Sequence, residues 1–148
     1  MSNKSQKTLQ PDELSKRIFE RLVPLDKMSF LERYAMFMGK AQIVEMGMKR
    51  VLRERYGVEE IALERMTLGQ VVTRLEANGV RKDFIELLKI LVTYRNDLAH
   101  NFLRGNATGK SLVGPEFEHL SEKQLRHALY SVEELIQVHD HLEEHGLW

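Results

Sequence analysis

Eight apolar residues decide the class of fold this chain can reach. Phe30, Tyr34, Phe37, Ala41, Val44, Met48, Val51 and Leu52 return at spacings of mostly three and four, which lines one side of an α-helix and does not fit the alternation of a strand. Ser29 with Glu32 three residues on has the capping-box form, and Gly57 follows Tyr56 as a C-terminal stop. The pattern predicts a long amphipathic helix from 29 to 56, whose apolar stripe has to be covered by other helices. No alternating pattern of useful length appears anywhere, and no segment repeats.

Further helices carry matching punctuation. Residues 1–10 read as a polar leader, and Pro11-Asp12-Glu13 opens a helix that Pro24 stops at about Val23. Residues 58–66 have room for one more helical turn. Thr67 caps a helix carrying Leu68, Val71, Val72 and Leu75, closed by Asn78-Gly79. Another begins near Arg81 and carries Phe84, Leu87, Leu88, Leu91 and Val92 toward Phe102. Residues 104–115 hold four Gly or Pro and read as a loop. Ser121 with Gln124 repeats the capping box and is expected to start the last helix, with Leu125, Leu129, Val132, Leu135, Ile136 and Leu142 on its apolar side. The expected fold is all-α: an up-down bundle of four to five helices in one domain over residues 11–148.

Composition narrows the function. The 148 residues contain no Cys, which excludes disulfides, zinc–thiolate sites and thiol nucleophiles from this chain. No apolar run is long enough to cross a bilayer, and residues 1–8 lack a signal-peptide core, so a cytoplasmic location is expected. The 22 basic and 22 acidic residues cancel, so any RNA binding needs a local patch. Lys49, Arg50, Arg53 and Arg104 are the candidates, with Arg55, Arg81 and Lys82 nearby; the alternative is a solvated helix face.

The fourth main helix carries an anomaly. Positions 84, 87, 91, 95, 98 and 102 share one stripe and positions 85, 88, 92, 96 and 99 its neighbour, which places Arg95 and Asn96 in two apolar rows, with His100 one turn past Asn96. A guanidinium set against a core costs several kcal/mol unless it is paired or opens onto a polar cleft. Either Arg95 snorkels to the edge of the core or pairs with a buried acid, for which Glu45 is the best candidate because it interrupts the apolar face of the long helix, or the three polar residues line a functional cleft.

The string Arg95-Asn96-Asp97-Leu98-Ala99-His100 resembles the Arg-x(4–6)-His signature of the HEPN superfamily. The resemblance covers roughly residues 29–142, with the motif near the end of the penultimate long helix and Thr67-Leu68-Gly69 opening the preceding one. It implies a helical homodimer in which two copies of the motif face each other across a cleft. It also implies metal-independent endoribonuclease activity of the kind found in toxin–antitoxin, phage-defence and RNA-processing systems, though many relatives are non-catalytic dimers. By position, Arg95 and His100 become the catalytic pair, Asn96 orients them, and Glu45, Asp97 and Phe102 are supporting positions. Imidazole, with an ordinary pKa near 6.5, can take a proton from a ribose 2′-hydroxyl or return one to the leaving oxygen, and a guanidinium can hold the phosphate. The products would be a 2′,3′-cyclic phosphate and a free 5′-hydroxyl. RNA, a cognate antitoxin or another protein are the implied partners, and no cofactor is required. Phe102 stands where toxins paired with a minimal nucleotidyltransferase antitoxin carry a tyrosine, so no hydroxyl is there to accept a nucleotide. The competing reading is a non-catalytic helical module that binds a protein partner.

Other signals point to nothing specific. His139, His141 and His145 with Asp140, Glu143 and Glu144 lack the His-Glu-x-x-His pattern of zinc proteases, and no metal is expected. Gly105 to Ser111 misses the Walker spacing and the preceding strand. Met36, Met38, Met46 and Met48 read as core filler or dimer-interface packing.

Overall fold

The computed structural model describes residues 9–103 and 115–148, with the backbone alone for residues 102–103 and 115–121. The leader up to residue 8, the loop of residues 104–114 and with it Arg104 lie outside the described residues, as does the Phe102 side chain. The elements are α1 (Pro11–Leu22), a 3-10 turn (Val23–Lys27), α2 (Phe30–Tyr56), α3 (Glu60–Glu64), α4 (Leu68–Ala77), α5 (Lys82–Leu103) and α6 (Pro115–His145). Among the described residues there is no strand. The described residues form six α-helices where four to five were expected, since one extra turn closes within residues 58–66 as α3.

The predicted punctuation works where the backbone needs it. The Ser29 side chain accepts from the Glu32 amide at 3.2 Å, and Thr67 and Gln70 close a full capping box at the start of α4. Gly57 (φ 65°) and Gly79 (φ 85°) end α2 and α4 in the left-handed region, which most side chains avoid. At the second of these, Val80 donates back to the Leu75 carbonyl and Gly79 to Glu76, which satisfies two carbonyls that a helix end leaves open. The last helix departs from expectation. It begins at Pro115, so Ser121 lies inside α6 instead of capping it. Proline suits a first helical position because it lacks the N–H that would go unused there.

Direction follows from the contacts. Ion pairs Arg33–Glu122, Lys40–Glu133 and Arg55–Glu143 advance in the same sense along α2 and α6, so these two helices run parallel. Asn101 bonds Gln124 at one end of α5, while Phe84 stacks edge-on to Trp148 at the other, so α5 runs antiparallel to both. The core lies between them: Phe37, Leu52, Phe84, Leu88, Leu91, Leu98, Leu125 and Leu135 are all at most 2% exposed. α4 covers α5 with Leu68, Val71, Val72 and Leu75. It approaches closely at Gly69, where a Cβ would stand 3.8 Å from Val92. α1 seals α6 with buried Ile18, and its Phe19 ring lies 5.8 Å from Tyr130. No helix among the described residues is long and apolar enough to cross a membrane.

Candidate functional site

Arg95 sits on the buried stripe of α5, one turn after Leu91 and three residues before Leu98, both of them sealed. Its guanidinium escapes the core sideways toward α2. Nη2 lies 3.9 Å from Glu45 Oε2, with the Arg95 side chain 35% exposed and that of Glu45 15%. Glu45 is shared, since Lys49 stands 3.3 Å from its other oxygen. The expected pairing with Glu45 is therefore present, but it is long and open to water on the arginine side.

Asn96 is exposed, and the expectation that it interrupts an apolar row is corrected. The second row leaves the core after the half-buried Val92, where α4 makes its close approach, and Asn96 lies one turn further on. Asp97 and His100 are exposed as well. An α-helix turns by about 100° per residue, so Arg95 and His100, five positions apart, point roughly 140° away from each other. Asn96 and His100 share one solvent-facing side, and Arg95 points to α2. One chain thus brings the asparagine and the imidazole together and holds the guanidinium apart from both.

The basic cluster on α2 is largely neutralised. Lys49 pairs with Glu45, Arg50 with Glu54 at 3.0 Å, and Arg53 with Glu60 at 2.8 Å. The Glu60 hydrogen bond is the largest of the influences that raise the Arg53 pKa. Arg55 pairs with Glu143 and stacks over the Trp148 ring at 5.3 Å. Among the described residues Arg21, Arg65 and Arg74 make no ion pair, and the last two stand one just before α4 and one on it. These two border a shallow groove along the outer side of α4, together with Thr67, Gln70 and Thr73. Nothing in the linear sequence separates them from other surface arginines; only the folded positions of the acids do.

At the C-terminal end, His141 and His145 stack with ring centroids 4.3 Å apart, and His139 lies 3.2 Å from Asp140. Among the described residues no three His, Asp or Glu side chains group to hold a metal ion. Met48 is buried, Met36 and Met38 are half-buried against the core, and Met46 is exposed. No family model, no curated protein and no solved structure matches the chain.

Proposed function

We propose that this protein is a HEPN-type, metal-independent endoribonuclease whose cleft is completed by a second copy. The observation that carries the reading is the solvent-open Asn96, Asp97 and His100 beside an Arg95 held by a single long ion pair. In the proposed reaction, the imidazole of His100 takes the proton of a ribose 2′-hydroxyl as that oxygen attacks the adjacent phosphorus. The guanidinium of Arg95 steadies the charge on the phosphoryl oxygens, and the bond to the 5′-oxygen breaks as that oxygen takes up a proton from water, leaving a 2′,3′-cyclic phosphate and a 5′-hydroxyl, after which the imidazolium gives its proton back to solvent. Because Arg95 and His100 diverge on one helix, the guanidinium and imidazole that act together come from different chains. The groove bordered by Arg65 and Arg74 offers the RNA backbone two cations that no acid has claimed.

The expected result is RNA cleavage in the presence of a chelator, lost in His100→Ala with no change in melting temperature. Mixing the Arg95→Ala and His100→Ala proteins, each inactive alone, restores cleavage, since one mixed cleft then holds an intact pair. Undiminished cleavage by His100→Ala would sink the proposal.

A second reading, a non-catalytic helical module that binds a protein partner, is favoured by the Arg95–Glu45 contact itself. Under that reading Arg95 is structural, and Arg95→Ala lowers the melting temperature substantially.

A further inference from the structure

α2 gives one side to the core and leaves the opposite side uncovered by any described residue. Ile43 and Met46 on that side are each 65% exposed. Residues 35–44 contain a single charge, Lys40, and it turns to Glu133. Two glycines, Gly39 and Gly47, interrupt this helix, although glycine in mid-helix costs about 0.5–1 kcal/mol relative to alanine. Nothing in the chain requires them, because a Cβ at either position would meet no atom within 4 Å. Glycines that admit no neighbour from within the chain suit a backbone approaching from outside it.

The outward side is a mirror of itself about Ala41, whose own side chain is fully buried. Gly39 and Ile43 stand equally far on either side of it, as do Ala35 and Gly47, and Glu32 and Arg50; at the flank the exposed Met46 is matched in the same way by Met36, which is half-buried against the core. A two-fold axis passing opposite Ala41 would set two antiparallel copies of α2 together with each residue against its match. The Ile43 side chain then enters the hollow over the partner's Gly39, methionine meets methionine, and an acid meets a base at both ends. Glu32 and Arg50 are free to do this. Among the described residues Arg50 is otherwise occupied only by the exposed pair with Glu54, and Glu32 accepts only from the Ser29 hydroxyl and lies in the open; such surface contacts are weak and easily exchanged. At a crossing angle near 20° these end pairs stay within reach of long side chains.

We infer that the outer face of α2 pairs with the same face of a second copy, antiparallel and centred on Ala41. A foreign helix would not require the two halves of α2 to match one another in size and charge. The contact is separate from the α5 motif and does not depend on the ribonuclease reading.

Light scattering and sedimentation over a wide range of concentration test this. The wild-type protein is expected to self-associate, and Ile43→Lys and Gly39→Glu each to halve the mass of the assembly, weakening association by about ten-fold or more, equivalent to about 1.4 kcal/mol. Both substitutions lie on open surface, so circular dichroism should show the same helical fold, and Gly39→Glu should not destabilise the single chain, since it removes a mid-helix glycine. Glu32→Arg and Arg50→Glu each weaken association, and the double variant recovers it, because each new pair again joins opposite charges. A wild-type monomer at every concentration overturns the inference. So does an unchanged mass in Ile43→Lys and Gly39→Glu, or a double swap no better associated than its single parents.

Discussion

Arg95 and Glu45 each interrupt an apolar row of their own helix, which is why their meeting was legible before any coordinates: two misplaced charges of opposite sign in one small core have few other places to go. The strength of that meeting was not legible. At 3.9 Å, with the arginine 35% exposed and Lys49 sharing the carboxylate, Arg95→Ala should lower stability by no more than about 1 kcal/mol, while His100→Ala should leave it unchanged. Denaturant titration of both variants measures this, and a loss of several kcal/mol in Arg95→Ala would favour the non-catalytic reading. Asp83 gives a second test. The side-chain hydrogen bond from Arg81, aided by the Phe84 amide, holds its carboxyl below the ordinary value of 3.8 against an opposing burial effect. A lowered folded-state pKa contributes stability that is present above the unfolded value and lost as pH falls through the folded one. The wild-type melting temperature should therefore drop more steeply than that of Asp83→Asn once the pH goes below 3.8.

Helix ends were the most readable elements, because a cap is a local bargain between a side chain and amides three residues away. Thr67→Ala breaks one such cap and should cost about 1 kcal/mol in an unfolding titration. Ser121 shows the limit of that logic. The Ser-x-x-Gln spacing is equally compatible with the middle of a helix, and the chain turns helical six residues earlier, at Pro115, where proline itself is the better start. Contacts between elements were less visible still. Glu133 is 3% exposed and pairs with Lys40 across α2 and α6. Burial first, and then the Arg21 guanidinium, push the Lys40 ammonium below its usual pKa, so the pair is held at some cost in desolvation. Lys40→Met strands the carboxylate in the core and should destabilise by about 3 kcal/mol or more, and adding Glu133→Leu should recover most of that. Recovery is the decisive measurement, since a double variant as unstable as the single one would mean that packing, not charge, is what Lys40 supplies.

At the scale of the molecule, composition gave a neutral chain and periodicity gave an all-helical one, and both hold. Which cations stay available is a property of the fold alone: Arg50 and Arg53 are matched by Glu54 and Glu60, whereas Arg65 and Arg74 are left over. On the ribonuclease reading proposed above, RNA affinity should fall with salt, and Arg65→Ala and Arg74→Ala should each reduce the slope of log affinity against log salt by about one. The same substitutions at Arg50 or Arg53 should change it less.

On the ribonuclease reading, a rod that carries its guanidinium and its imidazole about 140° apart cannot close the reaction on its own, so turnover per molecule becomes a function of dilution. At low protein the initial rate should grow with the square of concentration, and it should become linear only where every chain has found its counterpart.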